Sequence, residues 1–235
     1  MNEIIRKRKS VRKYDLTPLD ASVLDKVRAQ IEKVAPLFPD IRFCAEIANN
    51  VKGIFNVKAP HYLIFGSEEK DGAFENIGFI GQQLDLFFSE SGLGSCWLGM
   101  AKPEEKTASA LPHVISMSFG NPAEPLYREL SEFKRKPLSE ISDGTDDRLE
   151  AARLAPSAMN AQNWYFAAEN GEIRCFRKKT KSVLGFIYTK MHSVDMGIAL
   201  CHIAKESKDF YFIKEENVSE RKGYVYTGTV KNSAT

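Results

Sequence analysis

The chain has 235 residues, 43% of them apolar, enough for the core of one large domain or two small ones. Thirty-three basic residues against thirty-one acidic leave a net charge of only +2, too even a balance for a nucleic-acid binder carrying an extended positive surface. No apolar run approaches the roughly 18 residues of a membrane span, and the first fourteen residues hold no signal-type apolar stretch, so a cytoplasmic protein without membrane contact is expected.

Asn2-Glu3-Ile4-Ile5-Arg6 reads as a short helix and Leu19 to Val34 as a longer one, with Val23, Leu24, Val27 and Ile31 at helical spacing and Pro36 and Pro39 ending it. His61-Tyr62-Leu63-Ile64-Phe65 reads as a buried strand before Gly66. Asn76 to Ser89 is the most apolar helix, striped by Ile77, Ile80, Leu84 and Phe87 and widened by Phe79, Leu86 and Phe88, and is expected at the centre. Within it Gly78 and Gly81 would let another backbone approach closely, and Gly92 and Gly94 would supply the positive φ that ends it. Val114 to Gly120 alternates with period two and reads as a strand. The polar stretch Leu138 to Asp147 reads as a linker dividing residues 1–142 from 143–235. Beyond it follow a helix over Arg148 to Leu154, a turn at Pro156, strands at Trp164 to Ala168 and Ile173 to Arg177, a helix over Val194 to Ala204 and a last strand from Gly223 to Val230. Helices and strands so mixed predict an α/β fold. Cys44, Cys96, Cys175 and Cys201 are scattered without C-x-x-C spacing, which predicts reduced thiols, and His61, His113, His192 and His202 lack short ligand spacing, so no metal site is expected.

Six of the eight residues from Arg6 to Lys13 are basic, which taken alone fits a solvated helix end or a nucleic-acid patch. The interposed Ser10 changes that balance, because a hydroxyl beside forked guanidinium donors matches the several acceptors of a phosphate monoester. Arg8-Lys9-Ser10-Val11-Arg12 resembles the R-R-S-x-R phosphate grip of the FMN-dependent nitroreductase family. Ala155-Pro156-Ser157-Ala158-Met159-Asn160-Ala161-Gln162-Asn163-Trp164 resembles that family's A-P-S-x-x-N-x-Q-P-W turn, with Asn163 where the family usually has proline and hence a less rigid turn. Gly92-Leu93-Gly94-Ser95-Cys96-Trp97-Leu98-Gly99 resembles its G-L-G-x-x-W-x-G segment, and Lys134-Arg135-Lys136-Pro137 its late basic segment. The resemblance implies that Arg8, Lys9, Ser10 and Arg12 hold the phosphate and polar ring edge of FMN, Lys9 keeping charge but not a fork. It further implies that Pro156, Ser157, Ala158, Met159 and Asn160 rim the ring, that backbone at Leu98 and Gly99 approaches its reactive edge, and that Lys134 and Lys136 approach the phosphate. Which of Lys134, Arg135 and Lys136 points inward stays open, no residue is assigned a catalytic role, and Cys96 is given none.

The second motif lies far later than it does in the family, and an internal repeat accounts for the displacement. Leu154-Ala155-Pro156 falls on Val34-Ala35-Pro36 at an offset of 120, and Met196-Gly197-Ile198 on Ile77-Gly78-Phe79 at 119. Leu37 and Asp40 replace Ser157 and Asn160 in the first copy, and the residues 120 beyond the grip, Arg128, Glu129, Leu130 and Glu132, make no second grip. Because the family forms interleaved homodimers with FMN between subunits, the resemblance implies a monomeric pseudo-dimer: an α+β sandwich of two degenerate halves with one FMN and the last strand added to the other half's sheet, with further dimerisation left open. The activity so implied is ping-pong reduction of small electrophiles such as nitroaromatics or quinones, with NADH or NADPH as transient donor. Alternatives are a flavin carrier or sensor without efficient turnover, and another flavin reaction on the same fold such as dehalogenation or flavin destruction.

Overall fold

The computed structural model describes residues 1–54, 57–105, 107–180 and 185–231. In chain order it runs α1 (Glu3–Lys7), α2 (Ala21–Ile31), β1 (Phe43–Ala48), β2 (Val51–Gly53), β3 (His61–Ser67), α3 (Ala73–Glu90), β4 (Gly94–Leu98), β5 (Ala101–Pro103) and β6 (His113–Gly120). It continues with α4 (Leu138–Ile141), β7 (Ser142–Asp143), α5 (Arg148–Leu154), β8 (Trp164–Glu169), β9 (Glu172–Lys178), α6 (Gly185–Glu206), β10 (Tyr211–Ile213) and β11 (Tyr224–Lys231). The expected helices and strands are present, most with ends shifted by a few residues, but α6 begins nine residues before the expected Val194. No helix among the described residues is long and apolar enough to cross a membrane.

One sheet has the order β1-β3-β6-β4 and another β7-β8-β9-β11-β10, while β2 and β5 pair with each other. Matching β8, β9, β11 and β10 to β1, β3, β6 and β4 gives the same order, with α3 and α6 each entered from the second strand of its set and β7 added alongside β8 in parallel. The two halves thus repeat one strand–strand–helix–strand–strand unit. The expected linker is correspondingly no linker: Leu138–Ile141 is helical, and Ser142–Asp143 pair with Phe166 and Ala167 inside the second sheet. The expectation for the last strand is also overturned, because β11 pairs antiparallel with β9 and β10 of its own half. Strands that follow one another in sequence favour neighbouring antiparallel pairing over a crossing to the distant sheet.

The contact between α3 and α6 is reciprocal. A Cβ on Gly78 would lie 2.0 Å from Val194 O, and one on Gly197 would lie 1.9 Å from Glu75 O. Each glycine therefore meets the carbonyl three residues before the other, as a two-fold relation requires. Gly81 serves differently from the expectation: its missing Cβ leaves space for the Trp97 indole, 2.3 Å away, not for backbone. Gly92 takes φ 79° at the end of α3, whereas Gly94 is a strand residue against which Val11 packs. The core is continuous. Ile5, Leu63, Ile77, Leu84 and Phe119 of residues 1–142 share one buried cluster with Leu149, Trp164, Phe166, Ile198 and Val230 of residues 143–235.

Candidate functional site

The helix α5 stops at Leu154 because Pro156 holds Ala155 extended (φ −57°, ψ 144°). The chain then makes a tight turn in which Met159, Asn160 and Gln162 take φ of 52°, 57° and 50°. Asn tolerates that region, but Met and Gln adopt it at a cost that the surroundings must offset, on the order of 1–3 kcal/mol each. Those surroundings are hydrogen bonds. Gln162 donates from its backbone N to Ser157 Oγ and from Nε2 to Asn160 O, and its Oε1 accepts from Lys136 N at 2.8 Å. Asn160 Nδ2 donates to Lys134 O, and its Oδ1 accepts from Arg135 Nη1. Asp195, on α6, accepts from Ala158 N at 2.9 Å. Asn163, where a looser turn was expected, donates to His192 Nε2, and His192 Nδ1 donates to Lys178 O, so the ring is neutral and the turn is anchored at that end as well.

This turn faces the basic segment across a cavity of about 450 Å³ bounded by Lys9, Ser10, Arg12, Arg128, Glu132, Lys134, Arg135, Pro156, Ser157, Met159 and Asn160. Five cations against one carboxylate give it a strongly positive wall. Phe133 places two of them: Arg128 and Arg135 lie 4.3 and 5.5 Å from its ring centroid, so one aromatic quadrupole attracts both guanidinium groups. Burial, then the charge of Arg8, holds Arg128 down to about 10, and burial with the charges of Arg128, Arg8 and Arg153 holds Arg135 down to about 9. Cations in that state gain from an anion arriving between them.

A second, smaller cavity of about 120 Å³ adjoins the first, sharing Ser10, Arg12, Pro156, Ser157 and Met159. Its remaining wall is more apolar, with Trp97, Gly99, Ile115, Met191, Val194 and Ile198 beside Cys96, Ala158 and Asp195. Together the cavities form a cationic outer end and a slot lined by apolar side chains. Met159 overhangs both and is 98% exposed.

Of the residues expected at the site, Lys9, Ser10, Arg12, Gly99, Lys134 and Pro156 to Asn160 bound these cavities. Three are placed elsewhere. Arg8 is fully buried, its Nε 2.8 Å from Asp85 Oδ2, and it reaches the site only by donating from Nη2 to Ser10 Oγ. The Leu98 side chain is turned into a small cluster with Tyr62, Ile64 and Ala101, although the expectation there concerned its backbone. Lys136 donates from Nζ to the carbonyls of Ala161 and Gln162 and bounds neither cavity. Of the three basic residues left open, Lys134 and Arg135 face the cavity, and Arg128 was missed. Arg128 belongs to the stretch that makes no second grip, and it joins the first one, its backbone N donating to Lys7 O and its Nε to Arg8 O.

Behind the site lies a buried polar chain that sequence spacing did not point to. Asp85 accepts from Ser95 Oγ at 2.6 Å and from Gln82 Nε2 at 2.8 Å. Gln82 also accepts from Trp97 Nε1 and donates to His202 Nε2, whose Nδ1 donates to Ala151 O. Burial pushes His202 down to about 3 and so keeps it neutral. The chain ties α3 and α6 to Ser10 and Trp97, which both bound the inner cavity.

Among solved structures, the chain is similar to one described as a "putative nitroreductase" from Thermotoga maritima, at 21% identity and a TM-score of 0.66, covering 97% of this chain and 91% of that one. A nitroreductase family protein from Clostridium difficile 630 aligns at 19% identity over 60% of this chain and 96% of its own, with a TM-score of 0.47. No curated protein matches the chain. The model of the family described as "Putative TM nitroreductase" matches residues 1–207, and the chain therefore belongs to this nitroreductase family.

Proposed function

We propose that the chain is an FMN-dependent oxidoreductase that reduces small electrophilic organic molecules such as nitroaromatics or quinones, with NADH or NADPH as transient donor in a ping-pong cycle. The observation that carries this reading is the paired cavity. A dianionic phosphate fits the end bounded by Lys9, Arg12, Arg128 and Arg135, and a flat ring fits the slot between Trp97 and the Pro156 turn. FMN, when bound, supplies a ring that accepts hydride and returns it. The chain's own residues hold the anion with guanidinium and ammonium groups, aim Ser10 and the turn at the polar edge, and exclude water from the slot with Met191, Val194 and Ile198. Arg12 bounds both cavities and so brings positive charge toward the ring, where it favours the electron-rich reduced form.

We further propose that the chain is an internal duplication acting as a monomeric pseudo-dimer with one flavin. The repeated sheet order and the reciprocal Gly78–Gly197 crossing support it. In the counterpart of the turn Phe38 takes the position 120 before Ala158 and packs edge-on against Phe212, with Phe79 and Phe210 stacked beside them. Aromatic side chains thus occupy the region where a second ring would need space.

The test is the visible spectrum of the purified protein and of the apoprotein titrated with FMN, followed by anaerobic NADH or NADPH and then an acceptor. Flavin bound near one per chain, bleached by the nicotinamide and recovered by the acceptor, is expected. Bound flavin that neither donor bleaches makes the chain a carrier or sensor, and a protein that binds no FMN ends the reading.

A further inference from the structure

Asp195 lies in the middle of α6, 3% exposed, and bounds the inner cavity with Ser10, Cys96, Pro156 and Ile198. Its Oδ1 accepts from Ala158 N. Its Oδ2 is sealed from water and has no hydrogen-bond partner among the described residues. An ionised oxygen left this way is costly, and the neutral carboxyl avoids that cost.

The charged and titratable groups around it do not compensate a negative charge. Arg12 and Cys96 bound the same cavity, and Lys9 and Arg135 lie in the outer one. Glu75 of α3 pairs with Arg177 of β9 at 3.8 Å. His192, one turn earlier on α6, spends both ring nitrogens on Asn163 and Lys178 O. None of them forms an ion pair with Asp195 among the described residues. Burial pushes the carboxyl up to about 7, with the Ala158 N–H pulling the other way.

We propose that Asp195 acts as a neutral carboxylic acid in the wall of the inner cavity, fixing the turn through Oδ1 and leaving the flat ring bound there beside an uncharged wall. The proposal rests on the flavin reading for the identity of the ring. It makes Asp195 a positioning residue whose ionisation sets a negative charge against an electron-rich ligand.

The repeat supplies the variant that tests it. Asn76 stands 119 residues earlier, in the same place on α3, and its Oδ1 accepts from Leu37 N and Phe38 N. An amide is therefore compatible with this helix position, and Asp195→Asn keeps an uncharged group that does not titrate. The probe is riboflavin, which carries the ring without phosphate, so that phosphate ionisation near pH 6 does not enter. Wild-type affinity for riboflavin is expected to hold below about pH 7 and to fall by about tenfold per pH unit above it, while the Asn variant stays level.

Two measurements on apoprotein do not depend on any ligand. A carboxyl raised in the folded state binds more protons folded than unfolded between about pH 4 and about pH 7, so its contribution to stability falls as pH rises through that window and is lost above it. The unfolding midpoint of wild type relative to Asp195→Asn should drift downward across the same window. In wild type alone, carbon-detected NMR should find the Asp195 carboxyl titrating near 7. A carboxyl that titrates below about 5, or identical riboflavin profiles for wild type and Asp195→Asn, overturns the proposal. Riboflavin and FMN that bind at no pH overturn the flavin reading along with it, whereas pH-independent binding of both overturns this proposal alone.

Discussion

The family motif alone makes Arg8 a free cation for phosphate, but the structure gives it a different partner, and the consequence is measurable. Arg8 and Asp85 are both fully buried, 2.8 Å apart, with Asp85 also accepting from Ser95 and Gln82. Arg8→Ala removes the cation and leaves a carboxylate where water does not reach. Breaking a buried pair from one side costs about 3–5 kcal/mol, a large share of the roughly 5–15 kcal/mol that holds a domain folded. For a chain of this size each kcal/mol lowers Tm by about 2–4 °C, so a fall of roughly 6–20 °C is expected. Melting should be followed in apoprotein, because bound ligand adds its own stabilisation. Arg8→Met combined with Asp85→Asn removes both charges and keeps an acceptor for Ser95 Oγ, so the double variant should melt well above Arg8→Ala. If apo Arg8→Ala melts within a degree or two of wild type and loses only FMN affinity, Arg8 is a grip after all and the buried-pair argument fails.

Other expectations follow from the same geometry. Arg135→Met should weaken FMN binding by about ten- to a hundredfold in a fluorescence titration, the loss of roughly 1.5–3 kcal/mol of charge-assisted contact, and unchanged affinity would remove Arg135 from the anion site. Asn160→Asp should also weaken binding, because a carboxylate would hold the Arg135 guanidinium to itself and lose the donor to Lys134 O, and unaltered flavin affinity and reduction rate would take the turn off the cofactor. Gly197→Ala should lower Tm, since its Cβ would meet Glu75 O at 1.9 Å and overpacking costs about 1–3 kcal/mol or more, whereas a melt equal to wild type would contradict the close crossing of α3 and α6. Saturation of tight FMN binding should come near one equivalent per chain, and two equivalent sites would contradict the aromatic filling around Phe38 and Phe212.

What could be read from the sequence was whatever local pattern enforces. The apolar runs of α3 and α6 admit no reading but a buried helix, and Pro156 fixes where α5 ends. β1 escaped because Phe43 to Ala48 are all half-buried and show no alternation, with Glu46 bonded to the backbone at Ala108 and Ser109 in place of facing solvent. β4 was hidden inside the Gly92 to Gly99 motif, and β10 is only three residues long. At the site, the motif residues that line the cavity were legible because chemistry restricts their types, but Arg128 and Arg135 depend on how an irregular segment curls around Phe133, which no spacing encodes. Asp85 did leave a signal. It is an acid set between Leu84 and Leu86 in a helix without a single Lys or Arg, and such a charge must find its cation from another element.

On the proposed pseudo-dimer, the two counterpart positions differ in the way that duplication within one chain allows. In a homodimer, any change made beside one flavin is made beside the other, so neither site can be closed without closing both. Here Ala158 and Phe38 are related by 120 residues, and so are the roles of their turns: one borders a cavity, and the other packs a ring against Phe212. Asp195 and Asn76 differ in the same sense. Asn76 Oδ1 accepts from two backbone N–H groups at 2.8 and 3.0 Å, the work of a purely structural tether, while Asp195 accepts one and keeps an oxygen unpaired at the cavity wall. On the proposed pseudo-dimer, the filled half stabilises the crossing of α3 and α6, and the open half can carry buried positive charge and left-handed backbone at Met159 and Asn160 that a symmetric pair would have to bear twice.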